Sequence, residues 1–217
     1  MIRSVLLIGV GRFGKNLAMR MAGLKKQVMA IDTDEKRINE VLPYVTSRLI
    51  GDSTNEEFLK SLGVSNFDLC IVAIGNNFQS SLVTTSLLKE LGAKCVVSRA
   101  THDTQMKLLS KNGADDIIYP EYQSAVWLAN KYASDRILDF ALLNDEFSMY
   151  EIGIPSSWES MTVGGLNIRK RYMINIIAIR RDGVLNMDIS SDTEFHSGDS
   201  VLVIGKWENI QKCFSLS

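Results

Sequence analysis

The chain has 217 residues, with 24 Lys+Arg against 25 Asp+Glu, 46% hydrophobic and 23% charged residues, a balance that excludes disordered, collagen-like and disulfide-scaffold classes. A net charge of −1 gives no overall field that attracts nucleic acid or anionic lipid. Cys70, Cys95 and Cys213 form no C-x-x-C pair and leave one thiol over in any pairing scheme, which fits a reducing cytoplasm. No apolar run reaches the roughly 18 residues a membrane helix needs, and Val5–Val10, interrupted by glycine, does not read as a signal peptide.

Strand-like runs rich in Val, Ile and Leu fall at Val5–Ile8, Gln27–Ile31, Ser47–Ile50, Leu69–Ile74, Lys94–Arg99 and Asp116–Tyr119. Their starts lie 20 to 25 residues apart, room for a strand, a short helix and two loops. Between them, Leu17, Met21 and Leu24 share one helical face, as do Phe58 and Leu62; Leu82, Ser86 and Lys89 form a less regular third case. The expected product is a Rossmann-like, doubly wound α/β fold with a parallel sheet. Asp32, Asp52 and Asn76, each just beyond a strand, then share the edge where ligands bind.

From Glu121 to Leu142 apolar residues occur all round a helical wheel, which predicts one long helix with two packing partners. A subunit interface and the edge of the sheet are both open as the second partner. Asn144, Asp145 and Glu146 make a polar break. Beyond it, Ser148–Ile154, Ile174–Arg180, Val184–Met187 and Val201–Ile204 read as strands, and Thr162–Ile168 and Trp207–Phe214 as helices. The division is expected near Leu142: residues 1–142 form a nucleotide-binding domain that includes the long helix, and 143–217 a small α+β domain.

Gly9-Val10-Gly11-Arg12-Phe13-Gly14 follows the first strand and opens the first helix. In G-x-G-x-x-G the first glycine permits the tight turn, the second lets the backbone approach a phosphate, and the third lets helix and strand pack closely. Asp32 ends the second strand 18 residues after Gly14, where a carboxylate accepts hydrogen bonds from ribose hydroxyls. Asp32, Asp34 and Glu35 together repel a 2′-phosphate, which disfavours NADP. The plain alternative is a tight β-α turn.

Arg12 lies inside the glycine turn and adds guanidinium charge of the kind a triphosphate needs beyond what a helix N-terminus supplies to a pyrophosphate. Arg99, at the end of the fifth strand, is either a second phosphate ligand or a solvated surface residue. Reaction machinery is sparse: two histidines, His102 and His196, and no G-x-S-x-G, H-E-x-x-H or P-loop lysine pattern. Cys70 and Cys95 sit within apolar strands and read as small core residues. A nucleotide site without catalytic residues points to sensing, in which binding energy selects one conformation of an assembly.

The motifs taken together resemble the RCK regulatory subunits of bacterial potassium uptake systems, KtrA type, with TrkA as the broader relative. The resemblance covers essentially the whole chain. It runs through the glycine motif, Ile31-Asp32-Thr33-Asp34, Gly51-Asp52-Ser53-Thr54, Val72-Ala73-Ile74-Gly75, Gly113-Ala114-Asp115 and Tyr119-Pro120-Glu121, and continues in Leu166-Asn167-Ile168-Arg169 and Gly198-Asp199-Ser200-Val201-Leu202-Val203-Ile204-Gly205. It implies an RCK-N domain followed by an RCK-C lobe in a non-enzymatic gating protein. Such a protein forms dimers that build an octameric ring on the cytoplasmic face of a KtrB/TrkH-type potassium-translocating membrane subunit, with no nucleic-acid partner.

In such proteins ATP favours the active ring and ADP an inactive one. The resemblance carries phosphate contact onto Gly9, Gly11 and Gly14, with Phe13 in the same motif and Arg12 reaching the terminal phosphate, on the neighbouring subunit's nucleotide in one arrangement. It places Asp32 on the ribose with Thr33 and Asp34 beside it, Asp52 and Ser53 near the adenine, Ile74 and Gly75 along the nucleotide, and Arg99 on phosphate. Glu121 corresponds to the family acid associated with a divalent cation, Mg²⁺ or Ca²⁺. Ile168 and Arg169 fall where some members bind cyclic di-AMP between two copies, a basic helix-to-strand turn being the plain alternative. TrkA-type relatives carry the two-lobed unit twice and often prefer NAD(H); one copy here favours the KtrA-like form.

Two other readings remain open on the residues: a TrkA-like NAD(H)-sensing regulator, and a small NAD-dependent oxidoreductase, for which His102 is the residue to test. A DNA-binding redox regulator lacks the helix-turn-helix with a basic recognition face that it needs.

Overall fold

The structure, a computed structural model, describes residues 2–144 and 146–216; Asp145 of the polar break lies outside the described residues. Contacts divide the chain into two units, Met1–Tyr122 and Gln123–Ser217.

In the first unit β1 (Ser4–Ile8), α1 (Arg12–Gly23), β2 (Gln27–Asp32), α2 (Glu35–Val41), β3 (Ser47–Ile50), α3 (Glu56–Ser61), β4 (Leu69–Val72), α4 (Phe78–Glu90), β5 (Val96–Arg99), α5 (Asp103–Lys111) and β6 (Asp116–Ile118) alternate. The sheet order is β3-β2-β1-β4-β5-β6 with every pairing parallel. Successive strand residues point to opposite faces, and both faces of the central strands are covered, while the edge strand β3 is exposed. Val5 and Leu7 pack with Val28, Ala30 and Ile38 on one side, while Leu6 and Ile8 pack with Ile31, Leu59 and Leu88 on the other. The strand order reverses between β1 and β4, so the loops after these strands diverge and open a crevice at the carboxyl edge.

Three helices of this unit begin at side chains that satisfy their first amides. Asp34 accepts from the N–H groups of Lys36 and Arg37, Asn55 from that of Phe58, and Asn77 from that of Ser80. α1 begins instead at Gly11, with no side-chain cap and no acidic residue in its first turn. Its leading N–H groups are therefore left for another acceptor.

In the second unit α6 (Pro120–Lys131), which spans the division, is followed by β7 (Ile137–Leu142), β8 (Ser148–Gly153), α7 (Val163–Leu166), α8 (Ile168–Tyr172), β9 (Asn175–Arg181), β10 (Val184–Asn186), β11 (Ser200–Gly205) and α9 (Trp207–Phe214). The sheet is antiparallel, in the order β10-β9-β11-β8-β7. Its core is aromatic: Trp158 lies 5.7 Å from the Phe195 ring and 4.8 Å from that of Phe214. Glu151 accepts from Arg180 Nε at 2.7 Å, Arg180 Nη2 at 3.1 Å and Ser200 Oγ at 2.7 Å. Asp199 accepts from Arg181 Nε at 2.9 Å and Nη2 at 2.7 Å and from the His196 amide at 2.8 Å. The paired guanidinium holds each carboxyl below its ordinary value.

The predicted long helix is corrected. It stops at Lys131, and Ile137–Leu142 is a strand paired antiparallel with β8. The cause is local: the Ser134 carbonyl accepts from the Ile137 amide and its Oγ from that of Arg136, a turn that competes with continued helix. Ile137 and Phe140 are then buried while Leu138 is exposed, around a register shift between Ile137 and Asp139. Because this strand belongs to the second sheet, contacts divide the chain at Tyr122/Gln123 rather than near Leu142. The predicted Thr162–Ile168 helix is likewise broken, by Asn167 at φ 48°, into α7 and α8. No helix among the described residues is long and apolar enough to cross a membrane.

Candidate nucleotide site

A cavity of about 900 Å³ opens at the carboxyl edge of the parallel sheet, where the strand order reverses. Its size is at the upper end for small-molecule sites. Of the residues singled out in the sequence, Gly9, Gly11, Arg12, Phe13, Asp32, Thr33, Asp52, Ser53, Ile74, Gly75, Arg99 and Glu121 line it.

The three glycines separate into distinct roles. Gly9 has φ +91°, a backbone shape that other residues rarely adopt. A Cβ on Gly14 would fall 2.0 Å from the Gly9 carbonyl oxygen, so this glycine sits at the contact between α1 and the turn and not in the cavity wall. A Cβ on Gly11 would meet nothing within 4 Å, because Gly11 faces open space at the uncapped start of α1. That space is where an anion meets both bare N–H groups and the positive end of the helix dipole.

Asp32 is 8% exposed at the end of β2. Its Oδ2 accepts from the Val10 amide in the glycine turn at 2.8 Å, and Oδ1 accepts from the Asp34 amide at 3.0 Å. The carboxylate is thus fixed in place with lone pairs still free for hydroxyl donors. Asp34 does not line the cavity: it caps α2 and lies 3.4 Å from Arg37 Nε. Ser53 lines the cavity with its hydroxyl already bonded to Thr84 Oγ1 at 2.7 Å, and Asp52 accepts from the Thr54 amide and hydroxyl.

Arg99 is mostly buried, with its side chain 16% exposed. Its guanidinium carbon lies 5.5 Å from the Phe13 ring centroid, and a Cβ on Gly75 would fall 2.5 Å from Nη1. Nη2 is paired with Glu121, and Nε is buried with no partner. An unpartnered buried donor is costly, and an anionic acceptor relieves it. The bare α1 terminus, the space at Gly11 and this donor all fit a phosphorylated ligand.

Glu121 is tied to Arg99, and no group of three or more His, Cys, Asp and Glu residues suited to a metal ion occurs among the described residues. In the second unit Ile168 is 4% exposed within the hydrophobic core, so its side chain packs inward, while Arg169 is exposed. His102 opens α5 and does not line the cavity. Burial pushes the Cys70 and Cys213 thiols up to about 12, which makes them poor nucleophiles.

Asn16, Arg37, Asn77 and Ser80 also line the cavity and escaped the sequence reading. Asn16 is one helical turn beyond Arg12, and Asn77 and Ser80 open α4 just past Asn76, so the strand-end rule that found Asn76 extends to them. Arg37 lies within an exposed charge run with no distinguishing signal.

Comparison with known proteins places the chain. The TrkA-N domain matches residues 5–120 and the TrkA-C domain residues 147–216. The chain belongs to the RCK family, of the KtrA/TrkA type. It is 40% identical over 206 residues to Ktr system potassium uptake protein C of Bacillus subtilis, covering 95% of this chain and 93% of that protein. It is 33% identical to Ktr system potassium uptake protein A of the same organism, with the same coverage. Among solved structures, the GsuK channel bound to NAD covers all of this RCK chain with a TM-score of 0.65 at 14% identity, a likeness of fold; the chain spans 39% of that longer protein. The TrkA-N domain of the inner membrane protein YbaL from Escherichia coli aligns over 60% of the chain and 96% of its own length, with a TM-score of 0.53 at 19% identity.

Proposed function

We propose that the chain is a nucleotide-sensing regulatory subunit of a potassium uptake system, without catalytic activity of its own. The observation that carries this is the crevice lined by both the bare α1 terminus at Gly11 and the fixed carboxylate of Asp32, in a chain matching Ktr potassium uptake proteins over 95% of its length. The ligand is an adenine nucleotide, ATP or ADP. Asp32 accepts from its ribose with Thr33 and Asp34 alongside, Asp52 and Ser53 border the base, and Ile74 and Gly75 flank the sugar–phosphate chain. Gly9, Gly11, Phe13 and Gly14 shape the phosphate cradle, with Arg12 and Arg99 supplying charge.

In this reading the subunit works on the cytoplasmic face of the membrane. Dimers assemble into an octameric ring bound to a potassium-translocating membrane protein of the KtrB/TrkH type, and ATP and ADP stabilise different rings. Mg²⁺ or Ca²⁺ joins through Glu121, with phosphate oxygens or waters completing its shell. Arg169 marks the place for cyclic di-AMP between two second lobes.

NAD(H) sensing is the second reading, drawn from the NAD-bound GsuK channel that shares the fold. Three arginines in the cavity wall, Arg12, Arg37 and Arg99, favour the more highly charged triphosphate. Calorimetry with ATP, ADP, NADH and cyclic di-AMP, with and without Mg²⁺, alongside the mass of the assembly in solution, tests the proposal. Tight ATP and ADP binding to a ring-sized oligomer is expected. Tight binding of NADH alone refutes it in favour of the second reading.

A further inference from the structure

Arg99 and Glu121 form an ion pair whose two members differ in exposure. The Arg99 guanidinium is confined against Phe13 and the backbone of Gly75, and its charge is already matched by Glu121, whose side chain is 57% exposed. Arg99 is held in the cavity wall against Phe13, whereas the more exposed Glu121 can turn into solvent at little cost. A phosphate that takes Arg99 therefore meets a carboxylate on the same guanidinium, at a distance where like charges repel.

We propose that Glu121 is a built-in competitor for Arg99, a resident carboxylate that sets how much ligand charge is needed to win the guanidinium. The inference rests on the nucleotide reading of this cavity and adds a specificity determinant to it. A ligand that brings no phosphate to Arg99 leaves the pair intact and pays nothing for it. A ligand that does must displace Glu121 or share the guanidinium with it, and the gain at the unpartnered Nε offsets that loss. Glu121 stands in the first turn of α6, so its release leaves that carboxylate at the helix start without its paired guanidinium.

The test uses the full chain in EDTA, so that no divalent cation contributes, and measures ADP and adenosine affinity for the parent and Glu121→Gln. The exposed side chain makes this substitution mild. Glu121→Gln is expected to tighten ADP by about 3- to 10-fold and to leave adenosine unchanged. In an Arg99→Gln background the same change is expected to do nothing. Unchanged or weaker ADP binding by Glu121→Gln, or equal tightening of ADP and adenosine, overturns the competition. The adenosine comparison needs only Glu121→Gln, so it decides the matter even where Arg99→Gln does not fold. ADP binding that ignores Glu121 sinks this inference alone, whereas a parent chain that binds neither ligand sinks the nucleotide reading and this inference with it.

Discussion

Gly14 and Gly11 belong to one motif, and the structure predicts opposite consequences for the same substitution. In Gly14→Ala the new Cβ falls 2.0 Å from the Gly9 carbonyl oxygen, so at least one of them must move by about 1 Å to reach even a tight contact. Gly9 has little room to retreat: its amide is bonded to the Ile31 carbonyl at 2.8 Å, and a Cβ built on it would already lie 3.0 Å from the Ile74 nitrogen. Overpacking of this kind costs about 1–3 kcal/mol, whereas alanine in place of glycine within a helix gains up to about 1 kcal/mol. The clash should win, lowering the melting temperature of the first unit by roughly 4–10 °C. In Gly11→Ala the Cβ enters open space at φ −61°, so thermal stability should stay within about 2 °C. Its methyl group instead occupies the phosphate approach, and ADP affinity should fall by about tenfold or more. Calorimetric melting of parent and variants, followed by ADP titration, decides. A Gly14→Ala variant as stable as the parent refutes the packing argument, and a Gly11→Ala variant that binds ADP normally refutes the cradle.

Arg12→Ala should narrow the preference for ATP over ADP by about 10-fold while leaving the melting temperature unchanged; identical discrimination in variant and parent removes Arg12 from the terminal phosphate. Leu128→Asp, at a position 53% exposed on α6, should yield smaller assemblies by light scattering, and an unchanged mass denies that face a role in assembly. All three tryptophans, Trp127, Trp158 and Trp207, lie in the second unit, so their fluorescence follows its unfolding alone. Glu151 and Asp199 are held below ordinary carboxyl values of 4.5 and 3.8 by Arg180 and Arg181, so their stabilisation is complete above those values and is lost as pH falls through the lowered ones. Asp199→Asn should thus be less stable than the parent in urea at pH 7, and the difference should shrink below about pH 3.8; a pH-independent difference refutes the ion-pair account.

The sequence was most legible where one physical rule acts alone. Buried parallel strands must be near-continuous apolar runs, as β1 and β4 are, and all six strands in the first unit, including the exposed edge strand β3, stand where the Val, Ile and Leu clusters predict, with ends shifted by a residue or two. The glycine motif was legible because each glycine answers a different steric demand. The stretch from Tyr132 to Leu142 misled because helix and strand periodicities both fit a dense apolar run. Only the Ser134 turn, a weak signal, separates them. At Ile168 and Arg169 the family position marks a segment, and the αL residue Asn167 decides the side chains, turning Ile168 into the core and leaving Arg169 outside. Arg37 was illegible because a charge run looks the same whether it is solvated or folded against a cavity, and the pairing of Arg99 with Glu121 was illegible because the two stand 22 residues apart and only the fold brings them together.

The site's energetics also bear on why such a sensor would be assembled from many copies. One guanidinium that meets a terminal phosphate in ATP and not in ADP distinguishes them by about 1.5–3 kcal/mol. Moving a two-state equilibrium from 1:99 to 99:1 takes about 5.5 kcal/mol of differential binding. A single cavity of this chemistry therefore biases a conformation without throwing it over. Two to four cavities acting on one shared equilibrium reach the required total by about the sum of their parts. The ring proposed for this chain then serves energetics as well as geometry: it adds increments that no single subunit could make decisive.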